Sequence, residues 1–175
     1  SFDEVDTYDD AVNGYCKPLD FDNFDVIASQ APMGSGKTFQ VLESIKKHKF
    51  KRILVISPRQ TFTKEKLRQF QDICPDFVDY RSNHAHNTQD WGSIDKFIIQ
   101  VESLQHLYLS EFCGYDLVIL DEIESILLQF SSTTNSNVHD AWGAFISILD
   151  CARKIVMADA FVTRRTLFIN SLIKQ

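Results

Sequence analysis

The stretch "ASQAPMGSGKTFQ" (28–40) decides the fold, because it joins an apolar segment to a helical one through a glycine-rich turn. Residues 24–29, at its start, have the short apolar composition of a buried strand. Residues 37–50, at its end, space their apolar side chains as an amphipathic helix does. A strand, a glycine-containing loop and a helix in this order are the local frame of a phosphate-binding loop.

The loop meets most of the physical demands of phosphate binding. Only its first position departs from the pattern G-x-x-x-x-G-K-[ST], where Ala31 replaces glycine. Gly34 and Gly36 let main-chain amides face a phosphate, and the helix adds its positive dipole end. Lys37 can reach the β- and γ-phosphates, and Thr38 can offer its hydroxyl to Mg²⁺. The predicted nucleotide-binding residues are Ala31, Pro32, Met33, Gly34, Ser35, Gly36, Lys37 and Thr38.

A second segment, "YDLVILDE" (115–122), predicts a buried strand that ends in two carboxylates. Asp121 is placed to hold Mg²⁺ together with Thr38, and Glu122 to polarise an attacking water as a general base. The alternative is that Asp121 only caps the next helix and Glu122 faces solvent. Combined with Lys37, the pair favours a nucleotide-hydrolysing site, with Lys37, Asp121 and Glu122 as its catalytic residues.

Apolar strands alternate with helices along the chain. This alternation predicts an α/β fold with a mostly parallel central sheet and helices on both faces. Residues 1–22 are expected to form an N-terminal segment and residues 23–175 one compact lobe. The predicted strands are 24–29, 52–57, 96–101, 115–122 and 154–159, with a weaker one near 77–81. The predicted helices are 37–50, 61–73, 103–109, 122–130, 139–152 and 164–174, and the rest of 75–95 is expected to be loop.

Composition narrows the functional classes. The net charge of the 175 residues is −6, which weakens the case for broad electrostatic binding of nucleic acid but leaves room for a narrow contact. The basic cluster at 46–52 is typical of a solvated helix end. No apolar run reaches the about 18 residues that cross a bilayer, so no membrane partner is expected. Because the chain does not begin with Met, we expect it to be a piece of a longer protein.

The remaining metal and redox candidates are weak. The four cysteines lie far apart without a CxxC pair, which disfavours zinc and disulfides and fits an intracellular, reducing compartment. His84 and His86 lack a third ligand at metal spacing, so they are expected on a surface loop. Trp91 and Trp142 are expected to pack in the protein and not to stack on bases.

The nucleotide motifs resemble those of superfamily 2 helicases, in which alanine often opens the loop and Asp-Glu ends the strand. Further segments make the chain similar to the herpesvirus-type replication origin-binding proteins over about residues 25–170. These segments are "APMGSGKT", "SPRQTFT", "QVESL", "YDLVILDEIES" and "ARKIVMADA". The resemblance implies a RecA-like P-loop NTPase lobe of an ATP-dependent DNA helicase, with ATP and Mg²⁺ as cofactors and a role in DNA replication, in the nucleus or at another replication site.

The resemblance also implies residue roles beyond the nucleotide. Asp159 falls in the segment that couples hydrolysis to movement, although Phe161 stands where the family has Thr. Other interpretations stay open, since Thr61 can cap a helix and Ser57 can simply end a strand. Glu102 and Ser103 can likewise be only a helix start. The implied DNA-backbone contacts are Ser57, Arg59 and Thr61 in one segment and Glu102 and Ser103 in another.

Only the first of two motor lobes is expected in this chain, with the second lobe and other replication proteins as partners. An isolated lobe is expected to be weakly active or inactive, because the arginine finger that speeds hydrolysis comes from the second lobe. A different class of function is a nucleotide-dependent switch or a scaffold lobe that binds a protein partner without unwinding DNA. A nucleotide kinase would need a basic lid, which the sequence does not show.

Overall fold

A computed structural model describes residues 11–12, 15–16, 19–23, 25–30, 37–58, 64–107, 114–131, 138–159 and 169. Its strands are β1 (Ala11–Val12), β2 (Tyr15–Cys16), β3 (Val26–Gln30), β4 (Ile53–Ser57), β5 (Val78–Asp79), β6 (Lys96–Gln100), β7 (Leu117–Asp121) and β8 (Lys154–Asp159). Its α-helices are α1 (Lys37–His48), α2 (Lys64–Ile73), α3 (Asn83–Asn87), α4 (Ile123–Ser131) and α5 (Val138–Cys151). Two 3₁₀ helices span Trp91–Ser93 and Val101–His106.

Six of the described strands form one sheet in the order β3-β8-β7-β4-β6-β5, and every pairing in it is parallel. The strands β1 and β2 pair with each other, antiparallel, outside this sheet. The prediction of an α/β fold with a parallel central sheet is therefore confirmed.

The sheet is buried on both faces, as a parallel sheet requires. All five residues of β4 are buried, and successive side chains point to opposite faces. Ile53 and Val55 belong to a cluster that includes residues of α1 and α2. Leu54 and Ile56 belong to a second cluster, which includes residues of α4 and α5. The continuous apolar runs that predicted these strands thus reflect two separate hydrophobic layers.

Residues 75–95 were the least predictable part of the sequence. The strand near 77–81 exists as β5, but the expectation of loop for the rest was wrong, because α3 and a 3₁₀ helix lie there. Ser82 caps α3 by accepting a hydrogen bond from the amide of Ala85. Trp91 Nε1 donates to the carbonyl of Ala85, whose side chain is fully buried. The helix α3 is held by polar capping contacts and by one buried alanine. Its sequence therefore lacks the apolar periodicity that predicts a helix.

Several smaller expectations can be compared with the structure. His84 and His86 are exposed as expected, although they lie on α3 and not on a loop. Trp91 packs against Phe97, and Trp142 against Phe145, so both tryptophans are packing residues. The predicted helix 164–174 lies outside the described residues except for Ile169, which is buried and belongs to the same core cluster as residues of α5.

Part of the predicted N-terminal segment belongs to the core of the lobe. Leu19 and Phe21 are buried in the cluster that contains the α1 side chains. The amide of Leu19 donates to the hydroxyl of Ser44 on α1, at 2.7 Å. Among the helices that the structure describes, none has the length and apolar character needed to span a bilayer.

Candidate functional site

The ends of three neighbouring strands bring the predicted nucleotide residues to one edge of the sheet. In the parallel register Gln30 of β3 lies opposite Asp159 of β8, and Ala158 of β8 lies opposite Asp121 of β7. Adjacent strands are about 4.8 Å apart, so the ends of β3 and β7 are separated by about 10 Å. A nucleoside triphosphate can bridge such a gap.

The predicted phosphate loop is attached at this same edge. Residues 31–36 lie outside the described residues, but the loop leaves from the carboxyl end of β3 and returns at Lys37. Lys37 and Thr38 form the first turn of α1, whose positive dipole end therefore follows the loop directly. The roles of Ala31, Pro32, Met33, Gly34, Ser35 and Gly36 stay predictions.

A buried hydrogen bond ties together the two elements that flank this loop. Ser29, one residue before the end of β3, donates its hydroxyl to Oε1 of Gln40 on α1, at 2.9 Å. Ser44 in turn donates its hydroxyl to the main-chain carbonyl of Gln40, at 2.8 Å. All three residues are buried, and a buried polar group is costly to leave without a partner. These contacts hold the strand and the helix in fixed relation on either side of the loop.

Asp121 ends β7 and already faces a positive charge. The Nζ atom of Lys66 on α2 lies 2.9 Å from Asp121 Oδ2, and the Asp121 side chain is 14% exposed. The sequence does not mark Lys66 as a site residue, because its partner is distant in the chain and the strand order decides their proximity. Its only sequence signal is that it sits in the helix that follows "SPRQTFT".

Glu122 adopts a backbone conformation that is rare for its residue type. Its φ angle is 53°, in the left-handed region that costs non-glycine residues about 1–2 kcal/mol. The residue is half-buried and stands between the end of β7 and the start of α4. Strain of this kind often accompanies functional positions, where the surrounding structure over-determines it.

Asp159 connects β8 to the helix that follows the two carboxylates. Its Oδ2 atom accepts a hydrogen bond from the amide of Glu124, in the first turn of α4, at 2.9 Å. A carboxylate at this position also interacts favourably with the helix dipole. Asp159 thus supplies to α4 the cap that the sequence offered as an alternative role for Asp121. The ends of β7 and β8 are linked directly through this contact.

The residues with implied DNA contacts lie on the other half of the same edge, where they are described. Ser57 ends β4 opposite Gln100 of β6, and the 3₁₀ helix with Glu102 and Ser103 follows directly. Glu102 is exposed and Ser103 half-buried. Arg59 and Thr61 lie outside the described residues.

Ser57 differs from Glu102 and Ser103 in being inaccessible. Its side chain is fully buried, and its hydroxyl has no hydrogen-bond partner among the described residues. A direct contact from Ser57 to a DNA phosphate therefore requires that this strand end opens.

The two halves of the edge meet between β4 and β7. The chain leaves β4 through α2 toward β5 on one side, and leaves β7 through α4 and α5 toward β8 on the other. Such a point, where connections diverge to opposite faces, forms the crevice in which open α/β sheets bind ligands. The ion pair of Lys66 and Asp121 spans this point, because Lys66 belongs to α2 and Asp121 to β7.

The donor set suits Mg²⁺ bound together with phosphates. Among the described residues no cluster of three or more His, Cys, Asp or Glu side chains could hold a metal ion alone. Mg²⁺ commonly uses one or two carboxylates and completes its octahedron with phosphate oxygens and water. Asp121 offers such a carboxylate, and the ammonium of Lys66 beside it shows that this oxygen attracts a cation. The site therefore fits Mg²⁺ that arrives with a nucleotide.

The chain is similar in sequence to proteins that bind replication origins. Residues 6–174 match the model of the family described as origin of replication binding protein. The chain belongs to this family. It is 36% identical over 145 residues to the replication origin-binding protein of Human herpesvirus 7 (strain JI), an alignment that covers 82% of this chain and 17% of the relative. The chain thus spans about a fifth or less of the length of the curated relatives that it matches.

Solved structures support the same fold. A hypothetical ATP-dependent RNA helicase from Sulfolobus tokodaii is similar with a TM-score of 0.62 and 15% identity, over 84% of this chain and 44% of that one. The SWI2/SNF2 ATPase core of Sulfolobus solfataricus in complex with double-stranded DNA matches with a TM-score of 0.56 and 14% identity, over 84% and 30%. The expectation of an α/β fold with a RecA-like core is therefore confirmed.

Proposed function

We propose that this chain is the ATP-binding first motor lobe of a superfamily 2 DNA helicase that acts in DNA replication. In the proposal, the lobe binds ATP with Mg²⁺ and couples its hydrolysis to unwinding or translocation of DNA. The second RecA-like lobe belongs to the longer protein and closes over the nucleotide.

One observation carries the proposal. The strand that enters the phosphate-loop sequence and the strand that ends at Asp121, just before Glu122, terminate at the same edge, two positions apart in the parallel sheet. The carboxyl edge of a parallel sheet is where α/β proteins bind their ligands. A chance Gly-Lys-Thr sequence would have no reason to share an edge with an acidic pair.

The chemistry assigns a role to each proposed residue. Lys37 neutralises the β- and γ-phosphates, while Thr38 and Asp121 hold the metal ion. When bound, Mg²⁺–ATP supplies an electrophilic γ-phosphate whose negative charge is partly neutralised. Glu122, which is half-buried, takes a proton from the attacking water.

Coupling to DNA is proposed through the other half of the edge. Arg59, Thr61, Glu102 and Ser103 are the proposed contacts to the DNA backbone, together with Ser57 if its strand end opens. Asp159 is proposed to transmit the state of the Asp121–Glu122 segment, since its carboxylate binds the amide of Glu124 just beyond it. Backbone contacts position the strand but do not read its sequence, so origin specificity is proposed to lie elsewhere in the longer protein.

A DNA-stimulated ATPase assay on the full-length protein tests the proposal. The wild type is compared with Lys37→Ala, which removes the phosphate-binding charge, and Glu122→Gln, which removes the base but keeps the shape. We expect DNA to stimulate hydrolysis in the wild type and neither variant to respond.

Two outcomes would contradict the proposal. ATP binding without any stimulation by DNA would favour the nucleotide-dependent switch or scaffold lobe. Stimulation that survives in Glu122→Gln would show that the base is another residue.

A further inference from the structure

The ion pair between Lys66 and Asp121 has no role in the nucleotide chemistry described so far. Lys66 lies on the helix that follows the proposed DNA-contact segment, whereas Asp121 is the proposed metal ligand. Their nitrogen and oxygen atoms are 2.9 Å apart, and the side chains are 27% and 14% exposed. A pair this sheltered is screened less by salt than a surface pair.

We propose that Lys66 is a positioning residue. Its ammonium binds the Asp121 carboxylate while the metal ion is absent, and it releases the carboxylate when the metal ion binds. This inference rests on the proposed function, because it takes Asp121 as the metal ligand. Two cations compete for one carboxylate oxygen, so Lys66 weakens metal binding in the resting lobe. Its release frees α2 from β7 at the crevice between the two halves of the edge.

The surroundings make Lys66 the described residue best placed for this role. Among described residues, Lys66 is the cationic side chain with an ion pair to Asp121. The next charged contact at the edge is the Asp159 carboxylate, which is directed to the amide of Glu124. The other described cationic residues of α2, Lys64 and Arg68, are exposed. Lys66 is thus positioned so that its contact differs between the metal-free and the metal-bound lobe.

The test is a titration with Mn²⁺ of the full-length protein that carries a saturating non-hydrolysable ATP analogue, followed by the EPR spectrum of the protein-bound ion. Mn²⁺ serves as the probe because it takes oxygen ligands as Mg²⁺ does. Lys66→Met removes the competing charge and keeps the length of the side chain. Lys64→Met removes the same charge from an exposed position of the same helix and is the matched control.

We expect Lys66→Met to bind Mn²⁺ about five-fold more tightly than the wild type, the scale set by a partly exposed ion pair. Lys64→Met should bind as the wild type does, and Asp121→Asn should abolish the gain in the Lys66→Met background. In hydrogen exchange, saturating Mn²⁺ should loosen the amides of α2 in the wild type but not in Lys66→Met.

Equal Mn²⁺ binding in the wild type and Lys66→Met, when both bind the ATP analogue, would overturn the proposal. Weaker binding in Lys66→Met would also overturn it, because Lys66 would then support the metal site. Failure of the proposed function would appear separately, as a wild type that binds no ATP or that hydrolyses it without a response to DNA.

Discussion

The two edges of the parallel sheet use their charges in different ways. At the amino edge, side chains fasten neighbouring strands to one another. Lys154 at the start of β8 pairs with Asp25 before β3, at 2.6 Å, and Lys96 at the start of β6 pairs with Asp76 before β5, at 2.9 Å. Asp116 before β7 accepts a hydrogen bond from the amide of Arg52 before β4.

Arg52 is the centre of the amino edge. Its guanidinium donates to the carbonyls of Gly92 and Gly114 and to Asp95, and it lies over the ring of Tyr115. Burial raises the pKa of Tyr115, so this phenol stays neutral and supports packing.

Among the described residues, the carboxyl edge contains strained and unpartnered groups. It carries Glu122 with its positive φ angle, the buried hydroxyl of Ser57, which has no partner among the described residues, and the ion pair of Lys66 and Asp121, which we propose to be exchangeable. The paired contacts at the amino edge indicate that it stabilises the lobe, whereas the carboxyl edge, with its strained and unpartnered groups, carries the residues of the proposed function.

Among these variants, Glu122→Gln is expected to have the largest effect, on the turnover number. Loss of a general base lowers turnover by about 100-fold or more, while the free energy of unfolding stays within about 0.5 kcal/mol of the wild type. The turnover number of the DNA-stimulated full-length protein and a urea titration measure the two quantities. A large loss of stability would show that Glu122 supports the fold, and the comparison of the edges would fail.

Arg52→Met, at the amino edge, should lower stability, in contrast to Glu122→Gln. It leaves two carbonyls and Asp95 without their donor, and we expect the free energy of unfolding to fall by about 2–3 kcal/mol. Urea unfolding measures this loss, and Lys51→Met, at the exposed neighbouring position, should stay within about 0.5 kcal/mol. A loss below about 1 kcal/mol would mean that the amino edge does not depend on this guanidinium.

Asp159→Ala probes a contact at the carboxyl edge that resembles those of the amino edge. Removal of the cap from α4 should cost about 1 kcal/mol in the free energy of unfolding. The same substitution at the exposed Asp150 should change it by less than about 0.5 kcal/mol. Equal values for the two variants in urea unfolding would show that the hydrogen bond to Glu124 does not stabilise the helix.

The smallest expected effect is a gain in stability. Glu122→Gly should raise the free energy of unfolding by up to about 1 kcal/mol, because glycine adopts a positive φ without strain. Glu124→Gly, two residues later and inside α4, should lower it by about 0.5–1 kcal/mol. Thermal unfolding of both variants gives the signs, and a destabilised Glu122→Gly would mean that position 122 stores no strain.

Much of the architecture could be predicted because β4 and β7 are uninterrupted apolar runs between helical patterns. The strand order could not be predicted in the same way, because the sequence of an apolar strand does not show which other strand it pairs with. The short helix α3 depends on the Ser82 cap and the buried Ala85, and neither creates a periodic pattern.

The site was predictable as motifs but not as contacts. Lys37, Asp121 and Glu122 follow recognisable local sequences. The pair of Lys66 and Asp121 and the cap from Asp159 join distant segments, and their proximity depends on the order β8-β7-β4. The roles assigned to the motif residues remain predictions of the proposed function.

The most direct test of the central claim is a crystal structure of the protein with Mg²⁺ and a non-hydrolysable ATP analogue. We predict that the triphosphate contacts the amides of residues 34–38. The metal ion should lie within about 5 Å of an Asp121 oxygen, the reach of direct or water-mediated coordination. A triphosphate bound away from the carboxyl ends of β3 and β7, or a metal ion remote from Asp121, would contradict the account.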